Sequence, residues 1–183
     1  MKPGSLAITR TVIRKRVAAP RERVFRAWTD AEHLRHWLLP GSATASVPQV
    51  EVDLRVGGRY CLTQYALDGA LEARVVGTYH AIQPPVKLVF SWVWEAPDPD
   101  PSETLVTVEF HEVDGMTEMV VTHERVPART GQEGHPIGWH CCLARLAQLV
   151  EATGQQDVPV AHTEPCISGT AQRSAGDIRA QGA

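Results

Sequence analysis

Hydrophobic and polar residues take turns along much of the chain, and this two-residue period is typical of half-buried β-strands. The clearest example is the run 47–54, in which Val50, Val52 and Leu54 share one face while Gln49, Glu51 and Asp53 share the other. The same alternation predicts strands over residues 7–18, 60–67, 71–82, 87–95, 104–113 and 117–126. Because most of these strands are joined by short turns, they predict an antiparallel meander rather than strand–helix–strand units.

Short polar segments mark the points where the strands turn. Asp68-Gly69 and Asp114-Gly115 are strong β-hairpin signals, and Gly57-Gly58 allows a sharp turn or bulge that a β-carbon would obstruct. Pro84-Pro85 ends another strand. The proline-rich stretch 97–101 is not expected to hold a sheet ladder, so it predicts an exposed loop.

Three segments carry a helical pattern instead. Residues 20–29 and 30–37 predict two short helices directly after the first strand, and Asp30 is the expected N-cap of the second. Residues 136–152 predict a long final helix, because its apolar residues recur at helical spacing and form one stripe. The stripe consists of Trp139, Cys142, Leu143, Leu146, Leu149 and Val150.

Length and composition indicate one folded domain followed by a tail. The chain has 183 residues, 43% of them hydrophobic, which suits a single domain with a substantial core. We assign residues 1–153 to that domain. Residues 154–183 lack periodicity and have few apolar side chains to offset the entropy lost on ordering, so we expect a tail that is flexible or docked on a neighbouring molecule.

Charge and hydropathy exclude several classes of protein. A net charge of −3 and a pI near 6.2 give no basic field for nucleic acid. No apolar run approaches the ~20 residues that a membrane span needs, and the first residues lack the apolar core of a secretory signal. We therefore expect a cytoplasmic protein whose four cysteines are free thiols.

Motifs for metal ions, nucleotides and serine nucleophiles are missing from the sequence. His33 and His36 stand three residues apart on the second short helix, but no third ligand is placed by spacing, and a catalytic zinc ion needs three protein ligands. Neither a Gly-Lys-Ser/Thr phosphate loop nor a Gly-x-Ser-x-Gly elbow occurs. The sequence therefore predicts neither a metal site nor a cofactor.

The order of a strand, two short helices, a strand meander and a final helix resembles the START-like superfamily, also called SRPBCC. The opening segment 19–38, the Gly-Gly turn within 53–60, the hairpin 77–92 and Gly138-Trp139 are most similar to the family named for the activator of the ninety-kilodalton heat-shock protein's ATPase. The likeness runs in order over residues 8–152. It implies an α+β helix-grip fold, in which a curved antiparallel sheet wraps around a long C-terminal helix.

Where this fold is hollow, a ligand meets the concave face of the sheet, the apolar stripe of the last helix and the two short helices. The candidate cavity residues implied by the resemblance are Trp37, Phe90, Trp92, Trp94, Phe110, Met119, Val121, His123, Trp139, Cys142, Leu143 and Leu146. Taken singly, each aromatic residue among them is explained more simply by core packing. A ligand cavity and a filled core therefore both stay open.

Three functions follow from the resemblance, and we favour the first, a non-enzymatic binder of a hydrophobic or aromatic small molecule. The second is a cyclase-like, aromatase-like or hydrolytic enzyme with His123 and Tyr79 as weak catalytic candidates, although a structural His123 is the simpler interpretation. The third and least favoured is a co-chaperone, because the activators that the chain resembles carry a further N-terminal domain that we do not expect here. Because an open sheet has edge strands that a second copy could cover, a homodimer is compatible with each of the three functions.

Overall fold

A computed structural model describes residues 8–39, 45–96, 100–127 and 134–152. Within these ranges the chain forms seven strands and three helices. In chain order they are β1 (Ile8–Val17), α1 (Arg21–Thr29), α2 (Ala31–Trp37), β2 (Gln49–Val52), β3 (Arg59–Tyr65), β4 (Leu71–Gln83), β5 (Lys87–Ala96), β6 (Asp100–Val113), β7 (Met116–Pro127) and α3 (Gly134–Ala152). The tail predicted over 154–183 lies outside the described residues.

The strands form one sheet in the order β1-β7-β6-β5-β4-β3-β2, and all neighbouring strands are antiparallel. From β2 to β7 the chain is a simple meander, and β1 joins the sheet beside β7. The three helices cover one face of this curved sheet, with the C-terminal helix among them. The predicted α+β helix-grip fold is therefore confirmed.

Two of the predicted turns need the residues that the sequence places there. Asp114 and Gly115 have φ values of 52° and 75°, and positive φ at both central residues is the hallmark of the tight hairpin turn that Asp-Gly signals. At the other turn, a β-carbon added to Gly58 would meet the backbone oxygens of Asp53 and Arg55. Only glycine therefore fits there without moving the turn.

Several strand ends differ from the prediction, and two of these differences have a clear cause. The strand β2 ends at Val52 rather than Leu54, because the Asp53 amide already bonds the Arg59 carbonyl and the chain turns. The strand β6 begins at Asp100, which pairs with Trp94, so the loop predicted over 97–101 was too long. Proline is tolerated at the beginning of a strand, which explains why Pro101 does not stop β6. Residues 97–99 lie outside the described ranges.

The core lies between the helices and the sheet, and the apolar stripe predicted for α3 faces it. Trp139, Cys142, Leu143, Leu146 and Val150 are each at most 6% exposed. The sixth member of the stripe, Leu149, is partly buried against the same core.

Within the described ranges, no helix is long and apolar enough to cross a membrane. The cytoplasmic location and the homodimer stay predictions.

The Asp30 cap gives a local test of the helix pair. Its Oδ1 accepts hydrogen bonds from the backbone N–H groups of Glu32 at 2.9 Å and His33 at 3.3 Å. Replacing Asp30 with alanine leaves these donors to solvent, so we expect a loss of about 1 kcal/mol in the free energy of unfolding, measured in urea. Asp30→Asn, which keeps an acceptor oxygen, should remain within ~0.5 kcal/mol of the natural protein. Equal losses in both variants would show that the cap contributes through charge alone.

Candidate functional site

The residues predicted to line a cavity come together between the sheet and the helices. Apart from Trp94, which is partly buried against the same core, none of the twelve is more than 8% exposed. They therefore share one region of the molecule, as their positions on strands and on the α3 stripe predict. Burial is expected both of residues that line a cavity and of residues in a filled core. Only the contacts between their side chains can distinguish the two.

Trp139 of α3 lies at the centre of an aromatic cluster. Its ring stacks on Trp28 at a centroid distance of 5.8 Å and meets Trp92 at 5.6 Å. Trp28 in turn contacts Trp37 edge-on at 4.6 Å. We call Trp28, Trp92 and Trp139 the tryptophan cluster. Trp28 was not among the predicted site residues; its position on the apolar face of α1 was the only signal available from the sequence.

His123 on β7 lies against the tryptophan cluster and uses both ring nitrogens. The Trp139 indole N–H donates to His123 Nδ1 at 3.1 Å, and His123 Nε2 lies 2.7 Å from Thr104 Oγ1. The Thr104 hydroxyl donates to the Trp92 carbonyl oxygen at 2.8 Å. Because an indole N–H can only donate, Nδ1 is the acceptor and the ring proton sits on Nε2, from which it is donated to Thr104.

This chain of hydrogen bonds holds His123 as a neutral imidazole. A second ring proton would have to occupy Nδ1, where the Trp139 N–H already points at the nitrogen. The imidazole therefore joins α3 to β7, and through Thr104 to β6, in a site that is 1% exposed. Both ring nitrogens bond groups of the protein itself, as expected of a histidine with a structural role.

Tyr79 does not meet His123. Tyr79 pairs with Phe90, Phe90 with Val106 and Val106 with His123 across neighbouring strands. Strands lie about 4.8 Å apart, so roughly 14 Å of sheet separates the two backbones. The Tyr79 ring packs instead against Tyr60 at 5.5 Å. Burial raises the pKa of Tyr79 to about 12, so its phenol stays protonated at neutral pH.

Trp92 differs from Trp28 and Trp37 in the hydrogen bonding of its indole nitrogen. Trp28 Nε1 lies 3.4 Å from the Met119 sulfur, and Trp37 Nε1 donates to the Ala27 carbonyl oxygen at 2.9 Å. The buried Nε1 of Trp92 finds no acceptor among the residues that the structure describes. No sequence pattern signals such a donor, because it depends on which acceptors the packed neighbours have already used.

The polar side chains buried in the described core are all uncharged. They are Thr29, Gln64, Ser91, Thr104, Thr117, Thr122 and the neutral His123. Among the described residues, no group of three His, Cys, Asp or Glu side chains is placed to hold a metal ion. The region can therefore offer aromatic surface and the uncharged Trp92 N–H to a molecule that enters it.

The chain matches the model of a protein family and is similar to several solved structures. The model of the family described as Activator of Hsp90 ATPase homolog 1-like protein matches residues 18–151. The chain is similar to the solved structure of an AHSA1-like protein from Aeromonas hydrophila, with 26% identity over 84% of this chain and 100% of that one and a TM-score of 0.66. A protein from Chromobacterium violaceum is 26% identical over 78% of this chain and 98% of its own, with a TM-score of 0.67.

A third similar structure is an HSP90 activator from Plasmodium falciparum. It is 27% identical to this chain over 76% of this chain and 94% of its own, with a TM-score of 0.57. No curated protein matches the sequence.

Proposed function

The chain belongs to the Activator of Hsp90 ATPase homolog 1-like family, and within that family we propose that it binds a hydrophobic or aromatic small molecule between its sheet and α3 without transforming it. The binding region is the tryptophan cluster together with Trp94 on the same face of β5. Large rigid aromatic surfaces with a few neutral polar groups are the usual lining of a small-molecule site. The family resemblance alone would leave the function open, because one fold serves many functions.

The observation that carries the proposal is the state of His123. A general acid or base needs a ring nitrogen within reach of the substrate, but Nδ1 and Nε2 are both hydrogen-bonded to the protein itself. Tyr79 lies about three strand spacings away, roughly 14 Å, and keeps its proton. Within the described residues, the region therefore offers surface for binding, and its two catalytic candidates do not form an acid–base pair, which favours a binder over a cyclase-like or hydrolytic enzyme.

The C-terminal end of α3 is attached to the rest of the core. At the C-terminal end of this helix, the Val150 carbonyl oxygen accepts a hydrogen bond from Arg23 at 3.2 Å, and Glu151 accepts one from the Ala18 amide at 2.9 Å. These bonds tie that end to the start of α1 and the end of β1. A ligand bound where Trp139 meets Trp92 would therefore lie away from this attached end of the helix.

Isothermal titration with fluorene, a flat and purely apolar ring system, tests the binding proposal. We expect one molecule to bind per chain with a negative heat-capacity change, since apolar surface is buried, and to be recovered unchanged afterwards. Trp94→Ala should weaken binding about tenfold, because tryptophan is enriched among the contact residues whose truncation costs more than 1 kcal/mol. The control is Leu67→Ala, which removes a side chain that is 76% exposed on the β3–β4 hairpin. Binding lost equally in both variants, or a chemically altered fluorene, would contradict the proposal.

Co-chaperone activity is the second candidate, and the 27% identity to the HSP90 activator from Plasmodium falciparum is the observation that favours it. That activity would act through an outer surface, whereas the features described above lie in the core. Adding the protein to a purified ninety-kilodalton chaperone should leave its ATPase rate unchanged on the binder account. A dose-dependent rise in that rate would favour the co-chaperone instead.

A further inference from the structure

The unpaired indole N–H of Trp92 limits what the proposed ligand can be. Trp92 is 8% exposed, and its Nε1 has no acceptor among the described residues. Buried donors in native proteins nearly always have a partner, so an exception calls for an explanation such as a bound molecule or water. Since the indole can only donate, whatever completes this site must present an acceptor atom.

The polar groups around Trp92 are already engaged with one another. Its cross-strand partner Thr104 donates its hydroxyl proton to the Trp92 carbonyl oxygen and lies 2.7 Å from His123 Nε2. The His123 ring, 6.3 Å from the Trp92 ring, accepts the Trp139 N–H on its other nitrogen. Rotating any of these groups toward Trp92 Nε1 would break a bond that now exists. The acceptor is therefore best supplied from outside this network.

The surroundings also limit the charge and shape of the ligand. The polar side chains buried in the described core carry no charge, so a cationic or anionic ligand would be desolvated there without a counter-ion. The rings of Trp92 and Trp139 meet at 5.6 Å with their planes 53° apart. Aromatic rings prefer offset-stacked or edge-to-face contacts with other rings, so a ligand that contacts these indoles is best matched by a flat aromatic ring.

We infer that the ligand is a neutral, planar aromatic molecule carrying a carbonyl oxygen, and that this oxygen accepts the hydrogen bond of the Trp92 indole. Trp92 is then the residue that selects oxygenated ring systems over plain hydrocarbons, while Trp28 and Trp139 provide contact area. This inference rests on the proposed function and adds the chemical class of the ligand to it.

The matched probes 9-fluorenone and fluorene share one tricyclic carbon skeleton and differ in a carbonyl group, so they isolate this hydrogen bond. We expect the natural protein to bind 9-fluorenone about tenfold more tightly than fluorene in isothermal titration. Trp92→Phe keeps an aromatic ring and removes the N–H, so the two affinities should become equal. A tenfold preference that survives in Trp92→Phe would overturn the inference.

The control variant is Trp28→Phe, which removes an indole N–H that already has the Met119 sulfur as its partner. It should weaken both probes alike and keep the tenfold preference. If the natural protein binds fluorene and 9-fluorenone equally, an acceptor such as water occupies the site in both complexes; the inference fails and the proposed function stands. If neither probe binds, both fail.

An NMR measurement on the natural protein keeps the inference testable if Trp92→Phe does not fold. The Trp92 indole N–H resonance, assigned through its contacts to β5, should move downfield on addition of 9-fluorenone, because hydrogen bonding to a carbonyl deshields the proton. Fluorene should not produce this shift. A Trp92 resonance that responds to both probes alike would overturn the inference.

Discussion

Replacing His123 with leucine should lower the free energy of unfolding by about 3 kcal/mol, because it removes a buried hydrogen-bonding group from between two partners. Leucine fills a similar volume but accepts nothing, so the Trp139 N–H, now 3.1 Å from Nδ1, would stay buried without an acceptor. Thr104 would also lose the partner now 2.7 Å from its hydroxyl. Urea denaturation followed by tryptophan fluorescence measures the loss.

The matched control is His80→Leu, on an exposed position of β4. A surface substitution of this kind should change stability by no more than ~0.5 kcal/mol. If His123→Leu were as mild as the control, the hydrogen bonds from Trp139 and Thr104 would not be holding α3 to the sheet. His123 would then be available for chemistry, and the enzyme alternative would regain its main candidate.

The Gly77→Ala variant should be destabilised by about 3 kcal/mol or fail to fold, as overpacking against fixed neighbours predicts. Gly77 lies on β4 opposite Tyr60, and a β-carbon there would collide with the Ser91 carbonyl oxygen and the Tyr60 ring. The Tyr60 hydroxyl donates to that same oxygen at 2.7 Å. A backbone oxygen on a central strand cannot give way without separating β4 from β5. Thermal unfolding followed by circular dichroism would measure the effect.

Gly138→Ala is a control that should increase stability rather than lower it. Gly138 lies on α3, and a β-carbon added there meets nothing within 4 Å. Alanine stabilises a helix interior by roughly 0.5–1 kcal/mol relative to glycine, so this variant should melt at a higher temperature than the natural protein. Should Gly77→Ala also melt at or above the natural value, the close approach of β4 and β5 at Tyr60 would be wrong.

Local signals in the sequence were enough to predict most of the fold. Asp114-Gly115 turns where its preference for positive φ requires, Asp30 caps α2, and the stripe from Trp139 to Val150 is buried. Each of these features depends on neighbours within a few residues. The beginning of β6 at Asp100 could not be read in the same way, because it depends on the pairing of Asp100 with Trp94 on another strand.

The candidate site was less predictable, because its chemistry depends on strand order and register. Alternation places His123 on the core side of its strand, but it does not reveal that three strand spacings separate it from Tyr79. The state of the imidazole depends on Trp139 reaching it from α3, a contact between residues 16 positions apart in sequence. The unpaired Trp92 N–H follows only after every neighbouring acceptor has been accounted for.

The most direct test of the binder account is a native mass spectrum of the protein purified gently from its own host. The account predicts a complex heavier than the polypeptide by one small molecule, which is released on denaturation and has the mass of a neutral, oxygen-bearing aromatic compound. A bare polypeptide at the calculated mass, together with no uptake of fluorene or 9-fluorenone, would contradict it. The tryptophan cluster would then be a filled core.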